Sequence, residues 1–224
     1  MAEYLMGIDA GTGSVRVALY DFRGQNRAYH IEEYATTYPK NGWAEQDDKG
    51  WWAALTKAIP ECIKKAGIGP DNIAAITCDA TTNTLVYLGE DDESVRPPIL
   101  WMDVRATEEA SFIDEIRDDY EATRFYKPSF RADTMVPKCM WVKKHEPENW
   151  AKTKTIMEFE DWLNWKLTGK KSVCMSIAAF RWNYDDKNGG YPIDFYNAVG
   201  LDDVVDKFPK DIYRVGEIIG NVSR

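Results

Sequence analysis

The chain has 224 residues, of which 44% are hydrophobic and 29% are charged, and its formal net charge is −9. This composition is ordinary for a soluble globular domain with a substantial core. The negative charge argues against a nucleic-acid partner, because phosphate backbones attract basic surfaces, and no apolar run is long enough to span a bilayer.

Targeting signals and cysteine spacing point to the compartment. No secretory signal is visible, because an apolar strand pattern begins almost at once. The four cysteines lie far apart and form no C-x-x-C pair, which indicates reduced thiols rather than a disulfide framework or a zinc site. We therefore expect a cytoplasmic protein with no membrane partner.

The first elements in chain order are three predicted strands. They cover residues 3–9, 15–21 and 27–34, and their short connections predict an antiparallel meander. Apolar spacing from Asp47 onward then predicts a helix, which Asp47 or Asp48 can cap and Gly67 can end.

The remaining pattern mixes strands and helices. The apolar run IAAITCD, residues 73–79, predicts a strand that is buried on both faces. The other elements are predicted as strands near 84–88 and 153–159 and helices near 105–120, 136–148 and 160–169. Together they predict one α/β domain with a mixed sheet, helices packed on the sheet, and the meander as its first three strands.

The turn between the first two strands places Asp9 before a run of small residues, Gly11 to Ser14. Backbone N–H groups in such a turn can cradle a phosphate, with Asp9 near Mg²⁺ and Arg16 adding positive charge. The motif is short, however, and on its own it favours a plain hairpin that binds nothing.

Five further motifs accompany this hairpin. They are GWAEQDDKGWW (42–52), DATTNTLVYL (79–88), RPPILWMDVRATEE (96–109), VPKCMWVKKHEPE (136–148) and EDWLNWKLTGK (160–170). In this order, after MGIDAGTGSVR (6–16), they resemble the N-terminal half of the FGGY family of carbohydrate kinases. DATTNTLVYL together with CMSIAAFRWNYD (174–185) is most similar to the ribulokinase-like branch, with xylulokinases near.

The resemblance implies an actin-like (ribonuclease-H-like) fold, use of ATP and Mg²⁺, and two groups of site residues. The residues that would meet the nucleotide phosphates are Asp9, Gly11, Thr12, Gly13 and Arg16, with Asp9 also the metal ligand. The residues that would contact the sugar or polyol are Thr81, Thr82, Asn83, Trp101 and Asp133. Thr82 and Asn83 differ from the Met-His of xylulokinases and the Arg-Glu of glycerol kinases.

Three of the sugar-site residues also have a structural explanation. Asn83 can be a turn residue that bonds its own backbone, Trp101 can belong to the core, and Asp133 can be a solvated loop carboxylate. Asp103 and Arg105 are expected to brace their loop as a salt bridge rather than to touch ligand. Glu45 and Gln46 are expected to order their own loop.

In the family the catalytic base is an Asp in a G-G-x-D-like segment followed by the adenine-binding domain. YRVGEIIGNVSR, residues 213–224, resembles the stretch just before that segment. Residues 1–224 are therefore expected to be one N-terminal domain without a catalytic base. Its partners would be the C-terminal domain and, through the face left exposed, a second copy in a homodimer.

Three functions remain open. The first is the sugar-binding half of an ATP-dependent kinase that acts on a pentulose such as ribulose or xylulose. The second is a non-catalytic sugar-binding or regulatory half-domain. The third is an actin-like or heat-shock-type ATPase, which shares the hairpin but lacks the pair of motifs around 79–88 and 96–109.

Overall fold

The computed structural model describes residues 3–123 and 129–223, which form two compact units. The sheet unit consists of the described parts of Met1–Thr37 and Gln46–Thr81. The helical unit consists of the described parts of Tyr38–Glu45 and Thr82–Arg224. That residues 1–224 act as a single N-terminal domain stays a prediction.

The sheet unit is built on four strands, β1 (Tyr4–Ala10), β2 (Ser14–Asp21), β3 (Asn26–Glu33) and β6 (Ile73–Ala80), which lie in the order β3-β2-β1-β6. The β1–β2 and β2–β3 pairs are antiparallel, whereas β1 and β6 are parallel, so the predicted meander and mixed sheet are confirmed. The elements in this part of the chain are β1 Tyr4–Ala10, β2 Ser14–Asp21, β3 Asn26–Glu33, β4 Thr36–Thr37, β5 Glu45–Gln46 (divided between the units), α1 Asp48–Ala66 and β6 Ile73–Ala80, with a 3-10 turn at Pro70–Asn72.

Helix α1 covers one face of this sheet by packing against β2 and β3. Its boundaries match the sequence prediction: the Asp47 side chain accepts from the Lys49 N–H at 2.9 Å, and Gly67 ends the helix at φ 67°. Both caps satisfy backbone groups that a helix terminus leaves without partners. The sheet face beneath is apolar and buried, and comprises Met6, Ile8, Ala10, Val15, Val17 and Leu19.

The prediction that residues 73–79 are buried on both faces is wrong. In β6 only Ala80 is fully buried, and Thr77 and Asp79 are exposed. The reason is topological, because β6 is the last strand in the sheet order, whereas helix α1 packs against β2 and β3 on the other side of β1. The alternate residues of β1, β2 and β6, including Asp9 and Arg16, face away from the buried row.

The helical unit surrounds a core rich in aromatic residues, among them Tyr87, Trp182 and Phe195. Strands β7 (Leu85–Leu88) and β8 (Thr155–Glu158) pair antiparallel, and β9 (Ser172–Cys174) and β10 (Asp211–Tyr213) pair parallel. The elements are β7 Leu85–Leu88, α2 Thr107–Ile116, α3 Met135–His145, α4 Pro147–Lys152, β8 Thr155–Glu158, α5 Phe159–Thr168, β9 Ser172–Cys174, α6 Met175–Arg181, α7 Ile193–Ala198 and β10 Asp211–Tyr213, with 3-10 turns at Arg117–Asp119, Glu121–Thr123 and Val205–Lys207.

The four cysteines are free thiols. Cys62 and Cys139 are buried, and Cys78 and Cys174 are partly buried.

Among residues 3–123 and 129–223, no helix combines the length and apolarity that crossing a bilayer requires.

Candidate functional site

The hairpin turn between β1 and β2 is tightly closed on itself. The Gly11 N–H donates to the Ser14 carbonyl at 3.0 Å, and the Tyr34 hydroxyl donates to the Gly11 carbonyl at 2.5 Å. A Cβ at Gly11 would lie 3.3 Å from Arg16 Nη1, so glycine leaves space for the guanidinium. The Gly11 N–H is thus bonded within the turn in this structure, and the predicted role of Gly11 toward phosphate stays a prediction.

Asp9 and Arg16 occupy facing positions on β1 and β2. Arg16 Nη1 donates to Asp9 Oδ2 at 2.8 Å, and about half of each side chain is exposed, 48% for Arg16 and 53% for Asp9. An ion pair this exposed contributes at most about 1 kcal/mol to folding. The pair is therefore free to exchange partners without loss of the fold.

The same sheet face fits a magnesium-bound phosphate group. Asp9 lies in register with Asp79 on the parallel strand β6, and both line a cavity of about 510 Å³ together with Arg16. Mg²⁺ takes one or two carboxylates and keeps several waters, and a guanidinium suits phosphate oxygens. Within residues 3–123 and 129–223, no three His, Cys, Asp or Glu side chains come together as a metal cage.

Gln46 fixes the turn that carries Thr12 and Gly13. Its Nε2 donates to the Thr12 carbonyl at 2.5 Å and to Thr36 Oγ1 at 2.7 Å, while its Oε1 accepts from the Trp51 indole at 2.8 Å. Gln46 thus joins the hairpin turn, Thr36 and helix α1, whereas the expectation was that it orders its own loop.

In the helical unit, Asn83 and Asp133 lie together. Asn83 Nδ2 donates to Asp133 Oδ2 at 3.3 Å, and Arg131 donates to both oxygens of the same carboxylate at 2.8 and 3.0 Å. Asp133 is 8% exposed, so its interpretation as a solvated loop carboxylate is wrong. Asn83 Oδ1 is buried and accepts no hydrogen bond from the described residues.

Asn83 is also a turn residue, with φ 60° in the left-handed region. Asparagine tolerates this conformation better than most side chains. Thus the structural explanation and the binding explanation for Asn83 are compatible.

Trp101 is 39% exposed, so the alternative that it belongs to the core is wrong. Its backbone N–H donates to Thr84 Oγ1 at 3.2 Å, one residue from Asn83.

Asp103 and Arg105 form the predicted salt bridge. Arg105 donates to Asp103 at 2.9 and 2.7 Å and forms an ion pair with Glu45 at 2.8 Å. This ion pair ties the segment of Glu45 to that of Arg105, whereas the expectation was that Glu45 orders its own loop.

The described contacts assign the predicted residues to two clusters. The sheet unit holds Asp9, Gly11, Thr12, Gly13, Arg16 and Thr81, and the Thr81 N–H donates to the Ala10 carbonyl at 3.2 Å. The helical unit holds Thr82, Asn83, Trp101 and Asp133.

Sequence reasoning missed two basic residues beside the second cluster. Arg181, at the end of α6, donates from Nη2 to Thr82 Oγ1 at 3.3 Å. Lys138, near the N-terminal end of α3, donates to the Asn83 and Leu100 carbonyls. A lysine on the apolar face of a helix was the available signal for Lys138, whereas nothing in the local pattern marks Arg181.

Comparison with known proteins adds the family context. The model of the FGGY family of carbohydrate kinases, N-terminal domain, matches residues 4–224. The chain is 27% identical to a human FGGY carbohydrate kinase domain-containing protein, over 98% of this chain and 41% of that protein. It is 28% identical to a xylulose kinase of Lactococcus lactis, over 99% of this chain and 42% of that protein. The chain thus spans less than half the length of these relatives.

A solved structure shares the fold. The ligand-bound xylulose kinase from Lactobacillus acidophilus superposes with a TM-score of 0.83 at 23% identity, covering 98% of this chain and 44% of that one. The predicted actin-like α/β fold with a mixed sheet is confirmed by this likeness and by the observed sheet order.

Proposed function

Because the chain belongs to the FGGY family of carbohydrate kinases, we propose that it is the sugar-binding half of an ATP-dependent kinase whose acceptor is a pentulose such as xylulose or ribulose. The observation that carries this proposal is the family match over residues 4–224. The match also favours a carbohydrate kinase over an actin-like or heat-shock-type ATPase. The domain organisation remains part of the proposal: residues 1–224 would be one N-terminal domain, joined to a C-terminal domain that supplies the base beyond Arg224.

The exposed sheet face supports the nucleotide part of the proposal. Arg16 would release Asp9 and bind phosphate oxygens, while Asp9, with Asp79 beside it, would hold the magnesium ion. Bound MgATP supplies the phosphoryl group that is transferred. The contribution of this chain is positioning and charge stabilisation, which dominate phosphoryl transfer.

The cluster around Asn83 supports the sugar part. Asn83 Oδ1 and the Asp133 carboxylate accept hydrogen bonds from hydroxyl groups, and the Thr82 hydroxyl can donate or accept. The exposed Trp101 ring offers an apolar surface to the carbon skeleton of a sugar. The names of the relatives favour a pentulose, as the Lactococcus lactis protein is a xylulose kinase.

The test uses the protein that the complete gene encodes. It is incubated with MgATP and, separately, with xylulose, ribulose, gluconate and glycerol, and ADP release is followed in a coupled assay. We expect ADP release that depends on the sugar and has its highest kcat/KM with one of the pentuloses.

Other outcomes identify the alternatives. Turnover that is highest with gluconate or glycerol would overturn the pentulose assignment but keep the kinase. A protein that binds a sugar by calorimetry yet releases no ADP would be the non-catalytic sugar-binding half-domain.

A cytoplasmic location and a homodimer belong to the same proposal. Cell fractionation checks the location, and light scattering checks the homodimer.

A further inference from the structure

Lys138 is a buried cation near the N-terminal end of α3. Its side chain is 0% exposed, and Nζ donates to the Asn83 carbonyl at 2.6 Å and to the Leu100 carbonyl at 2.7 Å. These two carbonyls are 55 and 38 residues away from Lys138 in the sequence. One ammonium group therefore links two segments that are remote along the chain.

Burial of this ammonium is opposed by its loss of water. Transferring a charged group out of water costs several kcal/mol unless hydrogen bonds and counter-charges compensate. Burial lowers the pKa of Lys138 to about 8. The carboxylates of Glu158, Asp103 and Asp133 act to raise this pKa, whereas the charge of Arg105 acts to lower it. A methionine or leucine would fill the same interior at lower cost, so packing alone does not account for lysine.

The two bonded carbonyls belong to the segments that carry the candidate sugar contacts. Asn83 has φ 60°, a conformation that costs energy for a residue other than glycine. Leu100 directly precedes Trp101, whose N–H is tied to Thr84. The Lys138 bonds thus hold the backbone of Asn83 in its turn and fix where Trp101 begins.

We propose that Lys138 is a positioning residue for sugar recognition, which joins the Asn83 and Trp101 segments through their backbone carbonyls so that both side chains are presented to the sugar in a fixed arrangement. The proposal rests on the proposed kinase function. Lys138 itself touches no substrate in this account. A preformed site of this kind spares the protein the ordering of two loops when the sugar binds.

The experiment compares Lys138→Met with Lys144→Met in the complete gene product. Lys144 lies on the same helix, but its side chain is 59% exposed. For Lys138→Met we expect the sugar KM to rise about tenfold or more, the equivalent of losing a buried hydrogen-bonded contact, while the KM for ATP changes by less than about twofold. Lys144→Met is expected to keep both KM values.

The other possible results would each contradict the positioning role of Lys138. An unchanged sugar KM in folded Lys138→Met, or an equal rise in both KM values, would overturn the positioning role. Circular dichroism checks folding, and Lys138→Gln, which can still donate one N–H, is measured if Lys138→Met does not fold. If neither folds while Lys144→Met does, Lys138 maintains the fold and the proposal is wrong. Wild-type protein without sugar-dependent ADP release would overturn the proposed function and this inference with it.

Discussion

Asp9 and Arg16 face each other across the β1–β2 hairpin, and a 2.8 Å ion pair joins them on the sheet face opposite the buried row beneath α1. The pair is half exposed, so it adds little to stability. The same strands place a second carboxylate, Asp79, in register with Asp9. Two carboxylates and one guanidinium on an open surface support the proposed site for a metal-bound phosphate.

We predict that Asp9→Asn abolishes turnover in the complete protein and leaves its folding intact. The matched control is Asp21→Asn, because Asp21 also pairs with an arginine, Arg27, at 2.5 Å in the same sheet. The control is expected to retain the kcat of the folded wild type. Steady-state ADP release and a thermal unfolding curve for each variant make the comparison, and normal turnover in Asp9→Asn would reduce the motif to a plain hairpin.

A pair of substitutions at Asn83 separates its two roles. Asn83→Gly keeps the left-handed turn and removes the amide, whereas Asn83→Ala removes the amide and adds a strain of about 1 kcal/mol. We expect both variants to raise the sugar KM about tenfold or more, with Asn83→Ala also the less stable of the two. If Asn83→Gly binds sugar as tightly as the wild type, Asn83 serves the turn alone.

Glu158 provides a pH dependence of stability. Burial raises its pKa to about 7 from 4.5, although the Trp182 indole N–H and the charges of Lys138 and Arg181 act to lower it. Between these pH values the folded state holds a proton that the unfolded state has released. The free energy of unfolding therefore falls as pH rises from about 4.5 to about 7.

We predict that Glu158→Gln makes the free energy of unfolding less dependent on pH in this interval. Urea unfolding at several pH values measures the slope for both proteins. Burial also raises the pKa of Asp161, which contributes in the same direction, so the difference between the two proteins isolates Glu158. Glu115→Gln, at an exposed position on α2, is expected to follow the wild-type curve, and an identical slope for Glu158→Gln would contradict the prediction.

The 224-residue chain by itself is predicted to fold but not to transfer phosphate. Phosphoryl transfer requires the sugar hydroxyl, a base and the γ-phosphate in line, and a misplacement of about 1 Å can cost about 10²-fold. The check is ADP release with MgATP and the sugar panel. Sugar-dependent turnover at ordinary kinase rates would place the base within this chain, among acidic residues such as Asp9, Asp79, Asp103 and Asp133.

The sequence was sufficient for elements whose signals are local. The alternation in β1 and β2, the Asp47 cap and the Gly67 end of α1 depend on neighbouring residues only, and each appears as predicted. The burial of β6 could not be read in this way, since it depends on where the strand lies in the sheet order.

In the candidate site, too, local contacts were predictable and contacts between distant segments were not. The Asp103–Arg105 brace joins residues two positions apart and was predictable. The Asn83–Asp133 hydrogen bond and the two Lys138 bonds join segments that are 38 to 55 residues apart. Spacing along the chain does not reveal such contacts. The left-handed turn at Asn83 lies between these cases, because asparagine favours such turns without specifying them.

The most direct test of the account is a crystal structure of the complete protein with its best sugar substrate, magnesium and a non-hydrolysable ATP analogue. We expect sugar hydroxyls within hydrogen-bond distance of Asn83 and Asp133, the Trp101 ring against the sugar, and the nucleotide phosphates and metal beside Asp9 and Arg16. A sugar bound away from Asn83 and Asp133, or phosphates that leave the Asp9–Arg16 pair intact and untouched, would contradict the account.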